Sequence, residues 1–334
     1  MKIDVHSSVG VEALRREAIE CLASNRMDPK ALYVTPRQTE LWRQVFLKHS
    51  PIQGNPEFIR IYGEAFRRLL ELFSAESVLL VGLGCGTGAK EAELYANLKK
   101  MGRTGIFSAI DVSEELVIES VRKLESAGAV HRRSLVCDLA QATSLSEWLE
   151  QEDRDLPRVM TFFGLVPNLS PTVVRELFRS VLRPGDVLLV SAHLVPVKED
   201  NPEELAAAME LVLPQYDNAE TLAWLNAGLE YWGLQERIDY PEMKIGQVEG
   251  VPAFMAEARW KREEPFEQWG HRFTPDTTKL FRVFHSLRYT PSLFEETLHR
   301  GGFDYERLAM TSCRQEAIWS VRRGAGAMFQ PPPT

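Results

Sequence analysis

A glycine-rich loop is the segment of this sequence that most directly suggests chemistry. Residues 77–81 form a strand-like aliphatic run, and glycine then occupies every second position: Gly82, Gly84, Gly86 and Gly88. A helical pattern follows over residues 89–100. Strand, glycine turn and helix together open the nucleotide-binding unit of α/β folds, because glycine lets the backbone turn sharply and approach a ligand closely. The loop therefore predicts a nucleotide-type cofactor.

Glycine spacing alone leaves three interpretations open. The dinucleotide pattern G-x-G-x-x-G/A fits residues 84–89, which would suit NAD. The denser G-x-G-x-G spacing of residues 82–88 is typical of S-adenosylmethionine sites. A tight structural turn without a ligand is the third interpretation.

Acidic residues end the next two predicted strands. Asp111 closes residues 105–111, and Asp138 closes residues 134–138. An acid after the second strand accepts hydrogen bonds from ribose hydroxyls, which suits NAD and S-adenosylmethionine alike. An acid after the third strand is typical of methyltransferases, where it lies beside the adenine amino group. Each acid taken singly also fits a capping or solvated role, but the series favours S-adenosylmethionine, with these cofactor residues: Gly82, Gly84, Gly86, Asp111 and Asp138.

The later strands complete a recognisable order. Residues 159–163 and 187–192 read as the fourth and fifth strands, and the Pro-Gly turn before the fifth resembles class I methyltransferases. The last helix and two strands appear only at 290–299, 303–311 and 317–322, after an insertion. We therefore expect an α/β fold, a doubly wound Rossmann-like sheet of the class I methyltransferase type, with a second, inserted α+β domain.

The insertion sets the expected domain boundaries. Residues 64–198 plus 290–323 are predicted to form a discontinuous cofactor-binding core. Residues 10–63 plus 199–289 are predicted to form a substrate-binding lid over it. Residues 324–334, with three consecutive prolines, are expected to be a disordered tail.

Composition excludes several classes of protein. The 334 residues carry a formal charge of −8, which disfavours a nucleic-acid partner. No apolar run approaches the roughly 20 residues of a membrane span. The first residues lack the apolar core of a signal peptide, so we expect a cytoplasmic protein with a small-molecule substrate. The four cysteines show no metal-ligand spacing, and we expect no metal site: Cys21, Cys85, Cys137 and Cys313.

Residues 30–322 resemble the histidine-specific methyltransferases of the ergothioneine pathway and their fungal relatives that N-methylate dimethylallyltryptophan. The family's Gly-Asn turn after strand four corresponds here to Gly164 and Asn168, and its Tyr-Asp block to Tyr216 and Asp217. The resemblance implies that Asn168 grips the amino and carboxylate groups of an amino acid and that Tyr216 holds the carboxylate. Both are thus the expected catalytic residues, which place the amine.

Tyr33 is implied by the same resemblance. It matches the family's Lys-Tyr-Phe-Tyr-Asp block and is expected to close over the cofactor's carboxylate. A buried structural tyrosine is the alternative.

The departures from the family concern the side-chain pocket. Phe284 stands where the histidine enzymes carry the glutamate that binds imidazole, whereas Ser286 is kept. Phe284 and Trp224 are expected to line an apolar or planar pocket, although ordinary core aromatics are an equal alternative.

The resemblance implies an enzyme that uses S-adenosylmethionine and releases S-adenosylhomocysteine, and the departures concern its acceptor. It would N-methylate a free amino acid or amino-acid derivative other than histidine, at the α-amino or a side-chain nitrogen. A non-catalytic S-adenosylmethionine-binding protein and an NAD(P)-dependent oxidoreductase remain the alternatives.

Overall fold

The computed structural model describes residues 2–51, 55–71, 75–142, 144–151, 156–198 and 201–324. The predicted disordered tail lies outside these residues from position 325 onward. The described helices are α1 (Val11–Ala23), α2 (Pro36–His49), α3 (Pro56–Glu71), α4 (Ala89–Lys100), α5 (Glu114–Ser126), α6 (Leu145–Glu150), α7 (Pro171–Val181), α8 (Pro202–Val212), α9 (Ala219–Tyr231) and α10 (Pro291–Arg300). The described strands are β1 (Ile3–Val5), β2 (Ser77–Leu83), β3 (Thr104–Asp111), β4 (Val130–His131), β5 (Ser134–Val136), β6 (Arg158–Phe162), β7 (Val187–His193), β8 (Glu242–Val248), β9 (Val251–Arg259), β10 (Phe266–Gln268), β11 (His271–Phe273), β12 (Leu280–Leu287), β13 (Phe303–Met310) and β14 (Glu316–Arg323).

Nine of the described strands form one sheet in the order β1-β5-β3-β2-β6-β7-β14-β13, with β4 paired to β3. The pairs from β1 to β7 along this order are parallel, whereas β14 is antiparallel to both β7 and β13. Helices α3, α4 and α5 cover one face, and α6, α7 and α10 cover the other. The predicted doubly wound α/β sheet of the class I methyltransferase type is thereby confirmed.

The apolar runs in the sequence follow from this two-sided cover. In β2, Leu79 and Val81 point into one core while Val78 and Leu80 point into the other. Alternate side chains of a strand point to opposite faces, so a strand buried on both faces must be apolar throughout. The short edge strand β1 is not predicted by the sequence, because an alternation of only three residues, Ile3–Val5, is too short to indicate a strand.

A further core lies beside the sheet and joins the N-terminal segment to the insertion. It contains residues of α1, of the turn Pro29–Leu32, of α9, and of strands β9 and β12, which pair in the antiparallel sheet β12-β9-β8. Helix α2 packs against α9 beside it. This shared core supports the predicted lid, but the division into two domains stays a prediction. Helix α3 crosses the predicted boundary between residues 63 and 64 and packs on β13 and β14.

A buried ion pair joins the starts of β6 and β7. Arg158 and Asp186 are each about 1% exposed, and Arg158 Nε donates to Asp186 Oδ2 at 2.8 Å. The backbone N–H of Arg183 donates to the same oxygen at 3.0 Å. The Pro-Gly turn before β7 is thus held by a carboxylate with no access to water.

We expect Asp186→Ala to lower the free energy of unfolding by about 3–5 kcal/mol, because removal of one partner leaves a buried guanidinium uncompensated. Urea unfolding followed by circular dichroism measures the change. The control is Asp304→Ala, which removes an exposed carboxylate from β13 and should change stability by at most about 0.5 kcal/mol. Equal stability of the two variants would contradict the structural role of the pair.

Candidate active site

The glycine loop after β2 adopts a backbone that only glycine tolerates easily. Gly84, Gly86 and Gly88 have φ angles of +64°, +50° and +69°. A Cβ on Gly84 would lie 1.9 Å from Leu165 Cδ1, and a Cβ on Gly88 would lie 2.4 Å from Ser120 Oγ. These two glycines are therefore required by close packing as well as by their φ angles.

Gly82 and Gly86 differ from these two glycines. Gly82 has no left-handed φ, but its added Cβ would lie 2.9 Å from Cys85 Cβ. A Cβ on Gly86 would meet no atom within 4 Å. The outer side of the loop is therefore open at Gly86, as a cofactor lying against the backbone requires.

Asp111 ends β3 directly beside the loop. Its Oδ2 accepts a hydrogen bond of 3.0 Å from the N–H of Gly86, and its Oδ1 accepts one of 3.0 Å from Ser113. Burial raises the pKa of Asp111, and the backbone N–H groups oppose this shift. A carboxylate oxygen accepts more than one hydrogen bond, so Asp111 retains capacity for the ribose hydroxyls that the sequence predicts.

Asp138 follows β5 and is tied to the N-terminal segment. Its Oδ2 lies 2.5 Å from Lys30 Nζ, and its backbone N–H donates to Ser8 Oγ at 3.0 Å. Lys30 also forms an ion pair with Glu17 of α1. The predicted adenine end of the site is thus closed by residues that precede the glycine loop by some 50 positions or more in the sequence.

Lys30 interacts with several acidic side chains, and these interactions shift the pKa values of the group. Burial opposes the charge of Lys30, but Asp138 and Asp28 outweigh it, so its pKa is raised. Burial, together with the charge of Asp28, raises the pKa of Glu17 to about 7, although Lys30 acts in the opposite direction. The sequence gives no signal for this cluster, because a sequence alone does not distinguish a buried lysine from one on the surface.

Asn168 and Tyr33, two of the predicted site residues, lie close together. Asn168 ends the 3-10 turn Val166–Asn168 that follows β6, and its side chain is near enough to Tyr33 to lower the pKa of the phenol against the effect of burial. Burial, with a contribution from the charge of Asp111, raises the pKa of Tyr33, which keeps the phenol neutral. The Tyr33 ring packs edge-on against Trp224 at 5.4 Å.

Tyr216 and Ser286 form the second polar pair. Their hydroxyl oxygens are 2.9 Å apart, and Arg288 Nε donates to Tyr216 Oη at 3.1 Å. The Tyr216 ring stacks on Phe254 at 4.4 Å, which fixes its plane. Because the turn that carries Asn168 packs against β12, the strand of Ser286, both polar pairs lie at one end of the sheet.

Phe284 belongs to an aromatic wall beside these polar pairs. It is 6% exposed and packs edge-on against Trp224 at 5.4 Å. Trp224 in turn donates its indole N–H to the carbonyl of Leu32 at 3.0 Å. Both rings belong to the further core that α1, α9, β9 and β12 share. Two contacts link them to Asn168, since Trp224 packs on Tyr33, and Tyr33 lies close to Asn168.

Three further residues at the glycine loop are missed by the sequence analysis. Lys90, in the first turn of α4, lies 2.6 Å from Tyr62 Oη and 4.0 Å from the centre of its ring. Tyr62 is also hydrogen-bonded to Glu316, which is 1% exposed. Burial lowers the pKa of Lys90, and Glu316 is the strongest of the opposing charges. The only sequence signal is that Lys90 follows Gly88 by two positions.

The described part of the chain shows neither a metal-binding cluster nor a candidate membrane span. Among the residues that the structure describes, no group of three or more His, Cys, Asp or Glu side chains is placed to hold a metal ion. None of the described helices combines the length and apolar character that a bilayer crossing needs.

Glu17 generates a prediction about stability and pH. Since its pKa is raised on folding, its contribution to stability is present below the ordinary range of a glutamate and is lost as the pH rises through about 7. Glu17→Gln mimics the protonated form, so it should melt at the same temperature as the wild type at pH 4.5. At pH 8 it should melt at a higher temperature than the wild type, by roughly 2–4 °C for each kcal/mol of stability that the wild type has lost. Scanning calorimetry between pH 4.5 and 9 measures this.

The matched control is Glu20→Gln, an exposed glutamate of the same helix. It should show no such dependence on pH. An equal response of both variants would contradict the buried cluster.

Comparisons with known proteins give low sequence identity throughout. Magnesium protoporphyrin IX methyltransferase (ChlM) from Synechocystis PCC 6803 is 14% identical, with a TM-score of 0.41 over 86% of this chain and 95% of that chain. DesVI from Streptomyces venezuelae is 11% identical, with a TM-score of 0.38 over 87% and 100%. The CurJ carbon methyltransferase is 12% identical, with a TM-score of 0.46 over 90% and 62%. No curated protein matches this sequence.

A family model decides what these distant similarities leave open. The model described as "Histidine-specific methyltransferase, SAM-dependent" matches residues 57–318, where SAM is S-adenosylmethionine. The match spans well over half of the chain and includes the glycine loop, both strand-end acids, Asn168 and Tyr216. The protein therefore belongs to the histidine-specific, SAM-dependent methyltransferase family.

Proposed function

We propose that this methyltransferase N-methylates a free amino acid or an amino-acid derivative other than histidine. The observation that carries the proposal is the hydrogen bond between Tyr216 and Ser286, with Asn168 and Tyr33 close together on the neighbouring turn. These neutral groups suit the amino and carboxylate groups of a zwitterion, and they lie beside the loop that faces the cofactor.

The residues of the loop fit SAM. Gly86 leaves the space over the backbone open. We assign Asp111, beside the N–H of Gly86, to the ribose and Asp138, beside Lys30, to the adenine. When bound, SAM supplies an electrophilic methyl group. The chain's own task is then to align the acceptor nitrogen with that group and to exclude water.

Asn168 is suited to hold an amine without fixing its charge. Its amide offers both a donor and an acceptor, so it hydrogen-bonds an amine in either protonation state. Tyr33 beside it is neutral, because burial raises the pKa of its phenol. An amine held by these two groups can lose its proton to water and keep its lone pair for the methyl group.

The proposed lid consists of residues 10–63 and 199–289. Lys30 closes the adenine end through Asp138, and Arg43 of α2 pairs with Glu119 of α5 across the same boundary. These two contacts between the proposed lid and the core support a role for this segment in shielding the site.

Phe284 supports an acceptor other than histidine. Its ring packs on Trp224 and offers no hydrogen-bond acceptor to an imidazole N–H. An unpaired buried N–H costs about 1–3 kcal/mol, which lowers the affinity for histidine by roughly one to two powers of ten.

The cofactor assignment predicts the effect of Asp111→Ala. Because hydrogen bonds to a charged acceptor contribute about 1.5–3 kcal/mol each, loss of Asp111 should weaken the binding of S-adenosylhomocysteine at least roughly tenfold. Isothermal titration calorimetry measures this, with Asp304→Ala as an exposed control and NAD as a ligand that should give no heat of binding. Unchanged affinity in Asp111→Ala would refute the ribose assignment.

The substrate assignment predicts the outcome of a methylation screen over free amino acids. Asn168→Ala should reduce the methylation of all substrates alike, because it removes a contact to the shared backbone groups. Phe284→Glu should change the ranking of substrates and raise histidine by roughly 10- to 100-fold, since it supplies the missing acceptor. Mass spectrometry of the products reads out both.

Three results of the screen count against the proposal. Efficient methylation of histidine by the wild type would show the side-chain pocket assignment to be wrong. Full activity of Asn168→Ala would show the same for the amine contact. Binding of S-adenosylhomocysteine without any methyl transfer across the panel would favour the non-catalytic alternative.

A further inference from the structure

Arg288 lies directly behind the hydroxyl of Tyr216 and is fixed there by the backbone. It follows β12 and is 2% exposed. Its own N–H donates to the carbonyl of Pro252 at 2.8 Å, and the next N–H, of Tyr289, donates to the carbonyl of His193 at 3.0 Å. The backbone at Arg288 is therefore held between β9 and the end of β7.

Every partner of this guanidinium is neutral. It donates to Tyr216 Oη at 3.1 Å, to Gln215 Oε1 at 3.0 Å and to the carbonyl of Leu194 at 3.4 Å. Among the described residues, no carboxylate oxygen forms an ion pair with it within 4.0 Å. Arg158, equally buried, has Asp186 as its counter-ion. A buried guanidinium without a counter-ion is unfavourable, so this position favours an anion nearby.

The contacts of Tyr216 determine what its hydroxyl offers to a ligand. A phenol has one O–H donor and accepts through its oxygen lone pairs. Arg288 Nε donates to the Tyr216 oxygen and takes up one acceptor position, and in the 2.9 Å contact with Ser286 either hydroxyl can donate. When Ser286 donates, the O–H of Tyr216 remains as a donor only, which suits a carboxylate oxygen and opposes an amide N–H or an ammonium group.

His193 lies close enough to Arg288 for its pKa to be affected by the guanidinium charge. It ends β7, and its Nδ1 is buried without a hydrogen-bond partner in the part of the chain that the structure describes. Burial, followed by the charges of Arg288 and Lys90, holds the pKa of His193 well below its ordinary value. Arg288 and Lys90 thus bring positive charge to the end of β7, where Glu316 of β14 is the register partner of His193.

We propose that Arg288 is a positioning residue that fixes the Tyr216 hydroxyl as a donor and supplies the positive charge that selects a free carboxylate. The protein then accepts amino acids and rejects their amides, esters and decarboxylated amines. This inference rests on the proposed function, because it specifies which amino-acid derivatives enter the same site.

The first test compares free amino acids with their carboxamides as methyl acceptors of the wild type, Arg288→Gln and Arg288→Lys. The wild type should prefer the acid. Arg288→Gln should lose roughly 10- to 100-fold of this preference, which is the range that a hydrogen bond to a charged group contributes. The loss should appear chiefly as a higher KM for the acid. Arg288→Lys keeps the charge and should retain most of the preference. Affinity for S-adenosylhomocysteine, measured by calorimetry, should be equal in all three and shows that the fold is intact.

The second test requires no substrate. In NMR titrations the imidazole pKa of His193 should rise in Arg288→Gln and stay low in Arg288→Lys. Sodium acetate should shift the His193 signals of the wild type, acetamide should not, and Arg288→Gln should respond to neither.

The two tests separate failure of this inference from failure of the proposed function. If the wild type methylates no amino acid, the proposed function fails, and the acetate titration still decides the role of Arg288. The role is overturned if Arg288→Gln keeps the preference for the acid or its response to acetate. It is also overturned if both variants lose the preference equally, because the side chain would then act only through packing.

Discussion

The parallel pairing of β2 with β3 and β6 is the constraint on which the site depends. The register sets Leu83 opposite Ile110, so both strands end at the same level, and the N–H groups of Gly84 and Cys85 donate to the carbonyl of Ile110. Asp111 can therefore reach the N–H of Gly86 without any adjustment of the loop. A slip of one residue would turn each side chain of the strand to the opposite face and separate the acid from the glycine turn.

Contacts between the proposed lid and the sheet are both apolar and polar. Val251, Ala253 and Leu287 of the insertion lie in the same apolar core as side chains of the sheet. Lys30 also pairs with Asp138, and Arg288 donates to the carbonyl of Leu194 at the end of β7. Buried charged contacts are specific in geometry but contribute little net stability. The apolar contacts therefore hold the proposed lid on the sheet, and the polar contacts fix its orientation there.

The sequence predicts the parts of this structure that are local. The glycine loop, the strand-end acids and the helix that follows the loop at 89–100 are predicted from short patterns, because turn geometry and helical spacing depend on neighbouring residues. Asn168, Tyr33 and Tyr216 follow from the resemblance to a family. Lys30, Lys90 and Arg288 are not predicted as site residues, because burial of a charge depends on residues distant in the chain.

The position of β14 has a consequence for how the molecule folds. β14 lies between β7 and β13, and its pairing with β7 joins residues more than a hundred positions apart. During synthesis β7 therefore remains an unpaired edge until the whole insertion has emerged, and closing so long a loop is slow. The insertion has its own antiparallel sheet of neighbouring strands, which can pair first. The nine-stranded sheet is then completed last, after β14 has been made and can pair with β7.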